Sequence, residues 1–324
     1  LPGGGEAFLP APPPLRILAI HPRPDTESTG HSDYRRHTLP LLEAVGIFGK
    51  LMELRVLVHP TLAALEKQLN DSWATGQPFT ALHLDASLRN DTPGNTILLG
   101  FEASHEPPSP PYRQAHFVAA TILASLLATY RVRLVVLSAG TDDAERSTTV
   151  GLASALLAAG IAAVVTLHPD TPAVTQRRFW TTFYEELLHG ACISQALFAG
   201  QSRLASDSYR GLGLGGNVHL QDWFCYNLYL GERDPRLCLR PPSELWHRSL
   251  KRARTRSSDR LPPTPSTGFV GRSRDLLRVE RLLAEQPTLF LRGPGGSGGA
   301  RAGRSCAELG PHGLGLHQDR GHER

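Results

Sequence analysis

The chain has 324 residues, of which 40% are hydrophobic and 20% charged, with a formal net charge of +4. That length holds one large or two modest domains, and the balance is ordinary for a globular protein. The longest apolar stretch, AHFVAATILASLLATY (115 to 130), is too short and too polar to span a bilayer, so a soluble, cytoplasmic protein is expected.

The first 14 residues, LPGGGEAFLPAPPP, are rich in proline and glycine, and a mobile leader is expected there. They lack a charged n-region followed by an apolar core, so they do not read as a secretion signal. Order begins at LRILAIHP (15 to 22), a buried-strand pattern ended by proline. HTLPLLEAVGIFGK predicts a helix, MELRVLVHP a strand, and TLAALEKQLNDSW a helix with Thr61 as N-cap. FTALHLDA (79 to 86) and NTILLGFE (95 to 102) read as strands, and the polar turn RNDTPG between them suggests a hairpin. Residues 113 to 130 predict one helix, RLVVLSA a strand, AERSTTVGLASALLAAG a helix closed by Gly160, and IAAVVTLHP a strand. Two further helices follow in AVTQRRFWTTFYEELLHG and CISQALFAGQSRLAS. Strands alternating with helices predict an α/β fold with a mainly parallel sheet covered on both faces.

GLGLGGN (211 to 217) matches G-x-G-x-x-G but follows a helix and precedes VHLQDW. It lacks the strand-to-helix setting that places a helix N-terminus on a phosphate, and reads as a glycine-rich loop. HRSLKRARTRSSDR (247 to 260) is basic without aromatics for base stacking, which favours a solvated linker over a nucleic-acid site. LPPTPSTG (261 to 268) then marks a boundary, and TLFLRG runs into a glycine-rich turn in the setting of a phosphate-binding loop. Cysteines 192, 225, 238 and 306 show neither C-x-x-C pairing nor metal-ligand spacing, which favours thiols in a reducing compartment over disulfides or zinc.

The ordered series ALHLDASL, ILLGFE, LVVLSAGTDD, GLASALLAAGIAAVVTL, RRFWTTFYEELLHGACISQAL and LQDWFCYNLY resembles bacterial CHAT domains, which are caspase-like, across residues 15 to 232. GFVGRSRDLLRVERLL followed by LFLRGPGGSG is similar to the start of a STAND-type signalling NTPase. The resemblance implies a three-layer α/β/α sandwich with a mainly parallel, caspase-like sheet and, in active members, a His/Cys dyad for peptide cleavage. The family histidine lies in H-F-x-G-H-G, which here reads His83-Leu84-Asp85-Ala86-Ser87-Leu88, so its position carries Ser87. The family cysteine follows Leu-Ser-Ala, and that position carries Gly140.

No catalytic residue is therefore expected at this site. His83 lies on the strand, on the face of Asp85, and reads as structural; Cys192 and Cys225 read as buried thiols. Ser87 or Ser138 would need an imidazole base and an oxyanion hole, and His168 is the other strand-end candidate. The phosphate loop keeps Gly293 and Gly298, but Gly299 and Ala300 stand where lysine and a hydroxyl belong. Gly295, Gly296 and Gly298 leave only a weak anion nest, so no cofactor is expected and nucleotide binding is doubtful.

The expected organisation is a leader (1–14), a CHAT domain (15–246), a basic, proline-rich linker (247–267), the start of a P-loop NTPase domain (268–300) and a disordered tail (301–324). That tail fits a shifted reading frame or a natural short end. The expected function is a catalytically degenerate module acting in binding or signalling regulation, with a protein or peptide partner and neither membrane nor nucleic acid. Two alternatives stay open: a cysteine endopeptidase with a relocated nucleophile, and a nucleotide-binding signalling NTPase fragment.

Overall fold

The structure, a computed structural model, describes residues 9–22, 35–91, 96–103, 114–138, 143–211, 216–247 and 249, and also 278, 279, 282, 289 and 290; side chains at 35, 36 and 143–146 are excepted. The expectations for the leader before residue 9, Gly140, most of the basic linker, the phosphate loop and the tail lie outside the described residues.

The first half of the chain forms β1 (Leu15–Ile20), α1 (Arg35–Gly46), β2 (Met52–Leu57), α2 (Leu62–Ala74), β3 (Ala81–Leu84), β4 (Leu88–Asp91), β5 (Thr96–Glu102), β6 (Ala115–Ala119) and α3 (Ala120–Thr129). The second half forms β7 (Leu134–Ser138), α4 (Asp143–Ala158), β8 (Ala163–Leu167), α5 (Ala173–Leu188), α6 (Ile193–Ser206), β9 (Tyr209–Gly211), β10 (Asn217–His219) and β11 (Tyr226–Leu230). Local signals act as read. Thr61 Oγ1 accepts from the Ala64 N–H at 3.0 Å and caps α2. Gly160, at φ +98°, turns the chain after α4.

Six strands build the main sheet in the order β11-β8-β7-β3-β1-β2. All neighbouring pairs are parallel except β11 with β8. Strand alternation sorts the side chains. Leu15, Ile17, Ala81, Leu134, Val136, Ala163 and Val165 join the core under α1, α5 and α6. Leu18, Ile20, Leu82, Leu84, Val135, Leu137 and Val164 join the core under α2, α3 and α4. Because both faces are covered, each of these strands is apolar on both sides, which is why their sequences read as continuous runs. The α/β/α layering is as expected.

On one face the α5 aromatics Phe179, Trp180, Phe183 and Tyr184 are fully buried. Tyr226 of β11 stacks on Phe179 at 3.4 Å between centroids and 8° between planes. α6 reaches this layer because Gly200 carries no side chain: a Cβ there would lie 2.7 Å from the Phe179 ring.

Two local expectations are corrected. The strand over 79–86 does not hairpin with the one over 95–102, since β3 lies between β1 and β7 in parallel register. β5 instead pairs with β4, whose sequence LRND is too short and polar to show alternation. The helix expected over 113–130 begins only at Ala120, because Ala115–Ala119 forms β6 against β5. A short apolar run fits either period, and the partner strand decides it. β11, to which the sequence reading assigned no element, is an antiparallel strand at the sheet's edge.

Candidate functional site

In an open α/β sheet, the groups that meet a ligand lie past the carboxyl ends of the strands. β3 and β7 are neighbours, with Leu84 opposite Leu137, so the chain segments leading to Ser87 and Gly140 leave adjacent strands. Residues 139–142 are outside the described set, so the geometry at Gly140 itself is not described. Ser87 is half-buried, and its carbonyl accepts from the Gly100 N–H at 3.0 Å. A Cβ at Gly100 would collide with Ser87 Oγ, so this side chain lies directly over β5.

The register also assembles a row that spacing along the chain does not reveal. Ile20 is opposite Leu84 and Leu84 opposite Leu137, so His21, Asp85 and Ser138 are the next residues on β1, β3 and β7. By alternation, all three share the face of Ala19, Ala81 and Val136. The Asp85 N–H extends the ladder by donating to the Ile20 carbonyl at 3.1 Å. His21 Nδ1 lies 3.8 Å from Asp85 Oδ2, and both side chains are largely buried. This row is not a serine-hydrolase triad. There the imidazole stands between hydroxyl and carboxylate, whereas the strand order here puts Asp85 between His21 and Ser138.

His83 is buried as expected of a structural residue. Its Nε2 pairs with the Tyr184 hydroxyl, and its ring meets Trp180 edge-on at 4.9 Å. Burial, then the nearby His21 and His37, hold its pKa down to about 3. A base so reluctant to take a proton cannot assist a nucleophile near neutral pH.

Two of the described cysteines stand at the wrong end of the sheet. Cys192 caps α6 and Cys238 bridges to Ala11, ahead of β1. α5, sixteen residues long and so about 24 Å, carries the chain from the carboxyl end of β8 to that opposite end. Burial also pushes the Cys238 thiol up to about 11. Cys192 and Cys225, expected to be buried, are both only half-buried, and Cys225 moreover stands at a strand end. It immediately precedes β11, and its carbonyl accepts from the His168 N–H at 2.9 Å, at the carboxyl end of β8. No sequence signal marks this meeting, because the two residues lie far apart in the chain. Burial raises the Cys225 thiol pKa, the Thr171 hydroxyl opposes that rise, and Asp222 adds to it. His168 Nδ1 accepts from the Asp170 N–H at 3.3 Å. The thiol is thus held protonated, two strands from β7.

The family model of the CHAT domain matches residues 42–232, more than half of the chain. The chain belongs to the CHAT domain family. No curated protein matches it. The match spans β2 through β11, and the structure adds β1 to the same sheet as a neighbour of β2 and β3. The glycine-rich segment of this CHAT domain, 211–217, joins antiparallel β9 and β10, so the described residues place a strand after it, not a helix. Among the described residues, no group of three or more His, Cys, Asp or Glu could hold a metal ion, and no helix is long and apolar enough to cross a membrane.

Proposed function

We propose that this CHAT domain does not cleave peptide bonds by the family's thiol chemistry and acts as a binding and regulatory module for a protein or peptide partner. The observation that carries this reading is the pair of residues at the dyad positions, Ser87 and Gly140. Thiolate attack needs a thiol and an imidazole acting as a unit, and losing one member of such a unit can cost on the order of 10⁶ in rate. Here both are replaced. The STAND-like stretch 268–300 extends the proposal: occupancy of the CHAT domain is passed to a signalling NTPase. Gly299 and Ala300 withhold the lysine and hydroxyl that hold Mg²⁺–nucleotide.

A second reading, a cysteine peptidase with a moved nucleophile, rests on the meeting of Cys225 and His168. One experiment separates the two. The full chain is incubated with a peptide library, with and without iodoacetamide, and cleavage is read by mass spectrometry while binding is read on an array of the same peptides. The expected result is binding of a subset of the peptides without cleavage of any. Cleavage that disappears in Cys225→Ala would establish the second reading in its place.

A further inference from the structure

The family match ends at residue 232, but the chain stays packed on the domain as far as Trp246. The Asp234 carboxylate caps α6, both of its oxygens accepting from the Ser194 N–H at 3.3 Å. Arg236 bridges to Cys192, between α5 and α6, and Cys238 bridges to Ala11, ahead of β1. Leu237 and Cys238 sink into the core under α1, α5 and α6. This segment therefore lies across the end of the sheet opposite the strand exits.

Past this deep anchor the chain is held by far less. Residues 243–247 are helical, and Ser243, Glu244, Leu245 and His247 are exposed. Trp246 is the one turned inward. Its ring lies 4.4 Å from that of His189, which ends α5, and 6.3 Å from that of Phe48, just past α1. One side chain thus sits across the ends of two helices. Both helices begin at the strand-exit end of the sheet, α1 after β1 and α5 after β8. There His37 of α1 and Gln176 of α5 pair at 3.1 Å, and Gln176 Nε2 donates to the Thr171 carbonyl, shortly after β8. From Gln176 to His189 is about 20 Å of helix.

We propose that Trp246 is a latch that couples the strand-exit end of the domain to the chain beyond residue 247. It is seated while α1 and α5 keep their relative position, and a shift of one helix against the other opens the seat and frees the turn. Packed helices move against each other as rigid elements between discrete arrangements, so a displacement at Gln176 reappears at His189. The turn 243–247 is the element that can respond, because a segment with few buried contacts opens at low cost. At the strand-exit end the tie between the helices is the partly buried His37–Gln176 bond. Arg177 and Glu43 also link them, at 3.3 Å, but that pair is exposed and contributes little. The latch rests on the regulatory reading for its use. The coupling is measured with no partner present, so either can fail without the other.

Hydrogen exchange of the full chain, read by mass spectrometry, tests the coupling. In the natural protein the 243–247 segment should be protected, since the Trp246 N–H donates to the Pro242 carbonyl at 3.1 Å. Trp246→Ala should remove that protection. His37→Ala, at the other end of α1, should speed the same amides about threefold or more while those of β1 and β7 keep their rates. If His37→Ala does not fold, Gln176→Asn, which shortens the other partner of the bond, takes its place. Rates at 243–247 that respond to Trp246→Ala alone overturn the proposal, because the ring is then packing and not a latch. A change that β1 and β7 share also overturns it, since the domain then loosens as a whole. So do amides that exchange as fast in the natural protein as in Trp246→Ala, because the seat is then empty.

Discussion

His83 shows what a buried imidazole does to a fold's tolerance of acid. Its pKa is about 3, against 6.5 in an unconstrained chain. Above pH 6.5 neither the native nor the unfolded state binds the proton, so this residue adds no pH dependence. Between 6.5 and about 3 the unfolded chain takes up a proton that native His83 refuses. Stability must therefore fall as pH falls through that window, by at most about 1.4 kcal/mol per pH unit. We expect the urea midpoint to drop more steeply between pH 6.5 and pH 4 in the natural protein than in His83→Gln, whose side chain cannot titrate. Parallel curves would assign the acid sensitivity elsewhere. Thr61 is a simpler case: Thr61→Ala removes the cap bond to Ala64 and should cost about 1 kcal/mol in denaturant titration.

Between elements, the tightest points are one absent side chain and one buried ion pair. α6 packs on α5 where Gly200 meets Phe179. Gly200→Ala should overpack this contact and cost roughly 1–3 kcal/mol, even though alanine favours a helix. Nearby, fully buried Arg210 of β9 forms a two-point pair with Asp222, Nη2 to Oδ1 at 2.6 Å and Nε to Oδ2 at 3.1 Å. Arg210 also donates to the Leu204 carbonyl of α6 and to Thr175 Oγ1 of α5, while Thr175 donates to Asp222. The cluster thus ties two helices to the turn that leads into β11. Asp222→Ala would leave a buried guanidinium unpaired, with an expected loss of about 3–5 kcal/mol. A paired Arg210→Met, Asp222→Leu variant should recover much of it, because the lone charge, not the missing bond, is the larger cost. None of these partners was legible in the sequence: YRG and LQDW look like ordinary loop residues. The α5 and α6 helices themselves were legible, since their apolar residues recur at helical spacing over sixteen and fourteen residues. β4 and β6 were not, because strands of four and five residues carry too few periods to be told from a turn or a helix end.

For the protein as an assembled unit, the decisive test of the proposal is to place a His/Cys pair at the two positions that the family resemblance assigns. Ser87 Oγ sits over Gly100, where the missing Cβ opens space beside position 87. If the exits of β3 and β7 keep the family's arrangement, Ser87→His with Gly140→Cys brings an imidazole and a thiol within reach of each other. We expect weak, thiol-dependent peptide cleavage from the double variant and none from either single variant, because each single change leaves the unit broken. Mass spectrometry of a peptide library reads this directly, and equal activity in a single variant would refute the two-group account.

The sequence by itself determined the α/β layering, since continuous apolar runs separated by amphipathic segments have few other ways to hide from water. It also determined that positions 87 and 140 carry serine and glycine, since folding moves functional groups but cannot supply a thiol or an imidazole that the chain does not carry there. Only the tertiary structure decided that His21, Asp85 and Ser138 stand in one row, that Cys225 meets His168, and that β11 lies reversed at the edge of the sheet. Each of these depends on strand register between segments distant in the chain. Register is chosen by the summed packing of two covered faces, so no local stretch of residues encodes it.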